Sequence, residues 1–443
     1  MRRRGARYAM SERLRDDMKP SAPRGAHQAG ALSPNRKGLL AALLASAVIG
    51  PGLMVMLADT DAGSIVTAAQ SGAIWGYTML APQLLLIPVL YVVQEMTVRL
   101  GVYTRKGHAE LIRETFGRGW AAFSVSGLVV VAVGALTTEF AGIAGVSQLF
   151  GIPPAYAVVA ATVMLITLGL TGRYRRVEQV GIAFGLFELL FLPAALMAHP
   201  DPAALAHGLV QLPFHRSGYL FMLAANVGAV VMPWMVFYQQ GAVIDKGVRR
   251  RQLRRERFDT LLGSVVTQLV MIFVMVAVAA TIGRGGHAGP LQSIPEIALA
   301  LRPFLGYAGA NVVFGLGILG ASLVAALVVS VGSAFAVGEA LGQAHSLNRK
   351  VGEAKHFYVA YAGALVLGAA IVLTGVPLVH LTIDIEIMNA ILLPAVLSFL
   401  LLLERRALPP EARMRGPYRV FVYIASGAVM LVGLLTAVWA IVA

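Results

Sequence analysis

Eleven apolar runs set the rhythm of the chain, at roughly 38 to 72, 76 to 98, 120 to 148, 153 to 172, 178 to 198, 218 to 243, 260 to 283, 304 to 342, 357 to 378, 380 to 403 and 418 to 442. Each is close to the roughly 20 apolar residues a helix needs to cross a hydrocarbon layer, so the pattern predicts an all-α integral membrane protein with about eleven spans. Two spans break the pattern in their middles. In the first, GPGLMVMLADTDAGSIVTAAQSG from Gly50 to Gly72, Asp59, Thr60, Asp61, Gly63 and Ser64 stand where hydrocarbon should be. A carboxylate at mid-bilayer depth costs about 3 kcal/mol on insertion scales, so it belongs beside a partner, a cavity or an ion. Gly63 frees the backbone, and the short polar side chains compete for its hydrogen bonds, which predicts an interrupted helix. The second break is Asn226-Val-Gly-Ala-Val-Val-Met-Pro-Trp-Met235 in the sixth span, where Pro233 has no N–H for the carbonyl of Ala229. Paired broken helices point to a transporter's binding site.

Composition agrees with this picture and narrows it. Hydrophobic residues make up 58% of the 443 and charged residues 13%, with mean hydropathy +0.74, which excludes a soluble multidomain protein. The absence of cysteine removes disulfides, thiolate metal sites and thiol redox chemistry. A net charge of +14 raises the question of nucleic acid, but the basic residues are scattered among short loops. Assigning residues 1 to 37 and every second loop to one face places 33 of the 36 Lys and Arg there, leaving Arg216, Arg284 and Arg302 opposite. That asymmetry predicts a cytoplasmic amino terminus, an outside carboxyl terminus and an inner (plasma) membrane protein that meets lipid and no nucleic acid. The basic run Lys246 to Arg257 fits an orienting, lipid-facing role. Residues 1 to 37 are Arg-rich without an apolar h-region and are expected to be a disordered cytoplasmic tail.

Spans 1 to 5 and 6 to 10 start from opposite faces. The expected organisation is two inverted repeats, about 38 to 198 and 218 to 403, forming a transporter core over 38 to 403, followed by a loop and an additional span over 404 to 443. Nothing indicates an enzyme: there is no Gly-rich phosphate loop and no nucleophile-base pair.

Several residues in this frame resemble the Nramp family of divalent-metal transporters. Gly50-Pro51-Gly52, eight residues, then Asp61-Ala62-Gly63-Ser64 follow the family's GPG and Asp-Pro-Gly-Asn at the family's spacing, with Ala62 for Pro and Ser64 for Asn. Ala229-Val-Val-Met232-Pro233-Trp234 follows Ala-x-x-Met-Pro-His, with Trp234 for His. Gln94 to Glu110 resembles the family's run after the second span. Glu139-Phe140-x-Gly142 matches its Glu on the proton route, while Leu136 stands where a partnering Asp is usual. The resemblance covers most of 38 to 403 and implies a LeuT-type 5+5 inverted-repeat fold, a divalent metal cation as substrate, no cofactor, and alternating access with import by symport. It marks this chain as a divergent member with altered motifs, as in the Nramp-related magnesium transporter branch.

The candidate metal-contacting residues are Asp61 by carboxylate, Ser64 by hydroxyl, Ala229 by backbone carbonyl, Met232 by thioether and Asp59, directly or through water. Each has a plainer reading: Asp61 as a helix cap, Ser64 as a small residue at a break, Met232 as filler, Asp59 facing a vestibule. A thioether favours Mn²⁺ or Fe²⁺ over harder ions, whereas the loss of Asn and His and the extra Asp59 suit a wider, wetter site for Mg²⁺; both remain open. Glu139, Glu386, Asn389 and Trp234 are candidates for a proton route or a supporting role, and Glu386 and Asn389 share one face of span 10. Proton coupling stays open, because Trp234 carries no titratable nitrogen. Gln239, Gln240, Glu188 and Asp384 are further polar residues inside spans, while His199, His207, His215 and His287 fall in outer loops. No obligate protein partner is evident. The rival reading is a cation-coupled amino-acid symporter, whose substrate carboxylate Asp59 and Asp61 would repel. A membrane sensor that binds without flux is a third.

Overall fold

The computed structural model describes residues 50–282, 290–299, 301–375 and 378–442, and all regular structure among them is helical. The expected tail, the start of the first span, Arg284 and His287 lie outside the described residues. Nine described segments are long and apolar enough to cross a membrane. One of them, Ala62–Thr104, has 43 residues. That is roughly 65 Å of helix at 1.5 Å per residue, about twice a hydrocarbon layer, so it holds two crossings. Its division falls at Gly76, whose φ of 57° ends the first helix. With Pro51–Asp59 completing the first span, and the 17-residue helix Pro154–Leu170 as the fourth, the crossings number eleven among the described residues.

Span 1 is two half-helices, Pro51–Asp59 and Ala62–Trp75, separated by Thr60 at φ −82°, ψ 48° and Asp61 at φ −73°, ψ 175°. Span 6 is Ser217–Val230 and Pro233–Asp245, with Val231 and Met232 extended between them. Met232 precedes a proline, and the proline ring pushes the preceding residue out of helical geometry. Span 5 breaks too, an interruption the sequence did not announce: Tyr174–Gly185 and Phe191–Met197 flank a tight 3-10 stretch, Leu186–Leu190. Spans 2, 3, 7, 8, 9, 10 and 11 are Leu80–Thr104, Arg118–Leu149, Leu253–Thr281, Arg302–Leu341, Lys355–Leu373, Leu378–Ala407 and Gly416–Val442.

The apolar core is divided. One cluster takes Met54 to Ala58 of span 1, Val227 to Ala242 of span 6, Leu323 to Ala336 of span 8 and Leu393 to Leu408 of span 10. The other takes Ala62 to Ala73, Tyr219 to Ala225, Ala310 to Ala321 and Val379 to Ile387 of the same spans. The seam between them falls at the break in span 1, between Ala58 and Ala62, and in span 6 between Ala225 and Val227, just before the break at Val231 and Met232, which the first cluster includes. Span 7 packs against both halves of span 1, span 6 against span 10, and span 11 against span 10.

The charged residues do not all keep to the loops, as the hydropathy pattern suggested. Glu95 and Arg99 lie inside Leu80–Thr104, nearly inaccessible, and are paired with each other. Glu95 also accepts from Arg257 Nε at 2.7 Å and Tyr418 Oη at 2.8 Å, and Arg99 reaches Glu404 at 3.6 Å. Buried charges are tolerated when paired and hydrogen-bonded in this way. The amino-terminal end of span 1 is held by a distant acid. Gly50 has no side chain to cap Pro51–Asp59, and Asp259 of span 7 accepts from Gly50 N at 3.1 Å and Leu53 N at 3.0 Å instead.

Candidate functional site

The two breaks meet through Ser64. Asp61 caps the second half-helix of span 1: its Oδ1 accepts from Ser64 N at 2.6 Å, an acid at the positive end of a helix dipole. Ser64 Oγ donates to the carbonyl of Ala229 at 2.8 Å, the oxygen that Pro233 leaves without its helical donor. Asp61, Ser64 and Ala229 are thereby joined across the seam, in a place with essentially no accessible surface. The other oxygen of Asp61, Oδ2, has no hydrogen-bond partner, and neither has Oδ1 of Asp59. The carbonyl ends of Pro51–Asp59 and Ser217–Val230 both fall here, adding two negative helix poles to the carboxylates.

Acids from two other spans close on the same point. Glu139 of span 3 accepts from Ala62 N at 3.2 Å and from Thr138 Oγ1 at 3.3 Å, which places its carboxyl at the break in span 1. Glu386 of span 10 accepts from Asn389 Nδ2 at 3.0 Å. A Cβ placed on Gly63 would lie 2.3 Å from Glu386 Oε1 and 3.3 Å from Asp61 Oδ1, so the glycine is what admits the Glu386 carboxyl to the site. At Gly228 the demand is stricter: a Cβ there would sit 1.8 Å from the backbone oxygen of Glu386, so spans 6 and 10 touch backbone to backbone.

Met232 is fully buried at the start of Pro233–Asp245, and its sulfur accepts from Trp234 Nε1 at 3.1 Å. Trp234 is therefore more than filler in place of a histidine: its one N–H holds the thioether. Among the described residues no three His, Cys, Asp or Glu side chains converge as a ready metal cage. The polar groups at the two breaks are instead mixed in kind: carboxylate, carbonyl, hydroxyl and thioether. Asp384 is exposed and stands apart from the site, and Gln240 ties span 6 to the loop after span 2, donating to the Lys106 carbonyl at 2.7 Å. Span 7 contributes what the sequence reading missed. Thr267 and Thr60 are hydrogen-bonded hydroxyl to hydroxyl at the break, but a threonine in an apolar run carries no signal of its own.

The model of the Natural resistance-associated macrophage protein-like family, Nramp, matches residues 52–439. The chain belongs to the Nramp family. It is similar to the divalent metal cation transporter MntH of Yersinia pestis (strain Pestoides F), 30% identical over 63% of this chain and 70% of that one. MntH of Chromohalobacter salexigens is 29% identical over 64% and 68%. Among solved structures, the manganese transporter of Eremococcus coleocola superposes with TM-score 0.74 at 18% identity, covering 94% of this chain and 88% of that one. A Na⁺-coupled sialic acid symporter superposes with TM-score 0.60 at 13% identity over 87% and 88%. The fold is the LeuT-type arrangement common to Nramp proteins and these wider neighbours, and Nramp proteins are transporters, not enzymes. Against the Nramp pattern quoted above, the departures of this chain now have contacts. Ser64, in the Asn position, spans to Ala229; Trp234, in the His position, binds Met232. Leu136, in the Asp position, is fully buried, where Gly368 of span 9 comes so close that a Cβ there would lie 2.7 Å from the leucine's own.

Proposed function

We propose that this protein is a secondary transporter that carries a divalent metal cation of the Mn²⁺/Fe²⁺ class across the inner membrane by alternating access. The observation that carries the reading is the Ser64 bridge between Asp61 and the Ala229 carbonyl, which gathers donors from both broken helices around an Asp61 oxygen with no partner of its own. Asp61 supplies charge, Ala229 and Ser64 neutral oxygen, Met232 the soft donor that discriminates against Mg²⁺ and Ca²⁺, and Asp59 a second carboxylate within electrostatic reach. Glu139, with Glu386 and Asn389 beside it, is the proposed proton acceptor in a symport that proceeds without a histidine. The names of the relatives, divalent metal cation transporter and manganese transporter, support the same class. The tight packing around Gly63 and the complete burial of Asp61, Ser64 and Met232 favour this ion class over the wide, hydrated Mg²⁺ site that the motif changes allowed.

The proposed frame has the amino terminus inside and the carboxyl terminus outside, inverted repeats over about 38 to 198 and 218 to 403, and span 11 as an addition, supported by the 33 to 3 distribution of Lys and Arg. The test is Mn²⁺ flux into proteoliposomes with an internal pH dye, Mg²⁺, Fe²⁺, Ca²⁺ and amino acids serving as competitors. Mn²⁺ uptake abolished by Asp61→Ala and reduced at least tenfold in affinity by Met232→Ala is expected. Unaltered flux in Asp61→Ala, or amino-acid uptake with no metal competition, overturns the reading.

A further inference from the structure

We propose that Glu188, with the hydroxyls of Thr60 and Thr267, forms a second position for a hard cation, distinct from the Asp61–Met232 site. The irregular stretch of span 5 is the first observation. Leu186–Leu190 is wound as a 3-10 helix between two α-helical pieces, and Glu188 is its centre. The segment faces inward: a Cβ on Gly185, one turn earlier, would lie 2.7 Å from Leu57 Cβ, in the last turn of the first half-helix. Glu188 is consequently level with the break in span 1, and its neighbour there is Thr60.

The second observation is that the carboxyl is alone. Glu188 has no accessible surface, and neither Oε1 nor Oε2 has a hydrogen-bond partner, Thr60 lying alongside without completing a bond. Three of the other acids along the seam find donors: Glu139 has the amide of Ala62, Glu386 the amide of Asn389, and Asp61 the amide of Ser64. A buried carboxyl beside Thr60, whose hydroxyl is in turn bonded to that of Thr267, is a half-built oxygen shell. Thr60 is also the C-cap of Pro51–Asp59, so the negative pole of that helix falls at the same place.

The donor set differs in kind from the first site. It has no sulfur and no nitrogen, only carboxylate, hydroxyl and peptide oxygen, the chemistry of hard cations. Two sources share that chemistry: a divalent ion paused beside the Asp61 site, with Asp59 contributing the second negative charge, or a single alkali-metal ion balanced by Glu188 alone. Thr60 adjoins both Asp59 and Asp61 in sequence, so an ion on Glu188 bears directly on the geometry of the break and on how tightly the first site holds its own ion.

The experiment measures binding stoichiometry on the purified full-length protein in detergent, by calorimetric titration with Mn²⁺, Mg²⁺ and Na⁺ separately. Two equivalents of cation, falling to one in Glu188→Gln and to one in Asp61→Ala, with none in the double variant, are expected. The second equivalent titrating with Mg²⁺ and Mn²⁺ assigns it to the divalent ion; its appearing only with Na⁺ assigns it to the alkali ion. Thr267→Val, which removes one hydroxyl and keeps the shape, weakens the second equivalent at least fivefold and guards against a Glu188→Gln protein that fails to fold. No Glu188-dependent equivalent with any of the three cations, or one undiminished in both Glu188→Gln and Thr267→Val, overturns the proposal. The Asp61→Ala background keeps the two readings apart, because loss of the first site there leaves the Glu188 equivalent to be counted by itself.

Discussion

The side chains around the break divide labour by what each can donate or accept. Trp234 N–H occupies one lone pair of the Met232 sulfur. Removing that donor with Trp234→Phe returns the pair to the metal, and a hydrogen bond is worth about 1 kcal/mol, or roughly fivefold in affinity. Cd²⁺ and Mn²⁺ are therefore expected to bind Trp234→Phe about fivefold more tightly, with Cd²⁺ gaining more as the softer ion; competition of Cd²⁺ against Mn²⁺ uptake reads it. Gly63→Ala is expected to act in the opposite direction. Its Cβ would fall 2.3 Å from Glu386 Oε1, so the acid must leave, and Mn²⁺ transport should drop more than tenfold while the protein still elutes as a monodisperse peak. His108 lies outside the spans at the start of His108–Phe116, fully buried. Desolvation lowers its pKa to about 4 from 6.5, against the opposing pull of its bond to Gln240. The folded state thus refuses a proton the unfolded chain accepts. Its stabilising effect is complete above pH 6.5 and is lost as pH falls from 6.5 toward 4, at about 1.4 kcal/mol per unit. Thermal unfolding in detergent across that range should show the decline, and His108→Asn should flatten it.

At the scale of the element, the broken helices were legible because each break carries a chemical mark: acids and a glycine in span 1, a proline after Met232 in span 6. Span 5 carried a weaker mark. Glu188 stood out as an acid inside the span, but a single acid without a glycine-acid cluster or a proline at the turn did not locate a break, and the close approaches of Gly185 to Leu57 and of Gly320 to Phe184 are visible only in the packing. Glu386 was a candidate from its place beside Asn389 on one face of span 10, but its contact at Gly63 depends on the approach of span 10 to span 1, which one chain read in order does not show. Asp259 illustrates a cap supplied from more than 200 residues away. Asp259→Ala leaves the Gly50 and Leu53 amides unmatched, with an expected cost of about 1 to 2 kcal/mol to the folded state. A fall in the unfolding midpoint with retained metal affinity in the survivors would place the effect at the amino-terminal end of span 1; an unchanged midpoint would contradict it.

For the whole molecule, the span count and the family were readable from hydropathy and a few motif residues, whereas the divided core was not. Whether a leucine belongs to one cluster or the other depends on which spans surround it. The absence of cysteine makes the proposed orientation directly measurable. Arg251→Cys and His215→Cys both replace exposed residues, on loops assigned to opposite faces. An impermeant maleimide applied to intact cells should label the second and spare the first; the reverse would invert the frame.

The backbone contact at Gly228 has a mechanical consequence. Where two chains lie so close that even a methyl group cannot pass between them, neither can slide along the other, so Ser217–Val230 and the middle of Leu378–Ala407 have to travel as one piece. Any relative movement within the bundle has then to occur between that pair and the elements around it, and the first half of span 1, whose amides are capped by Asp259 of span 7, is tied to a different partner.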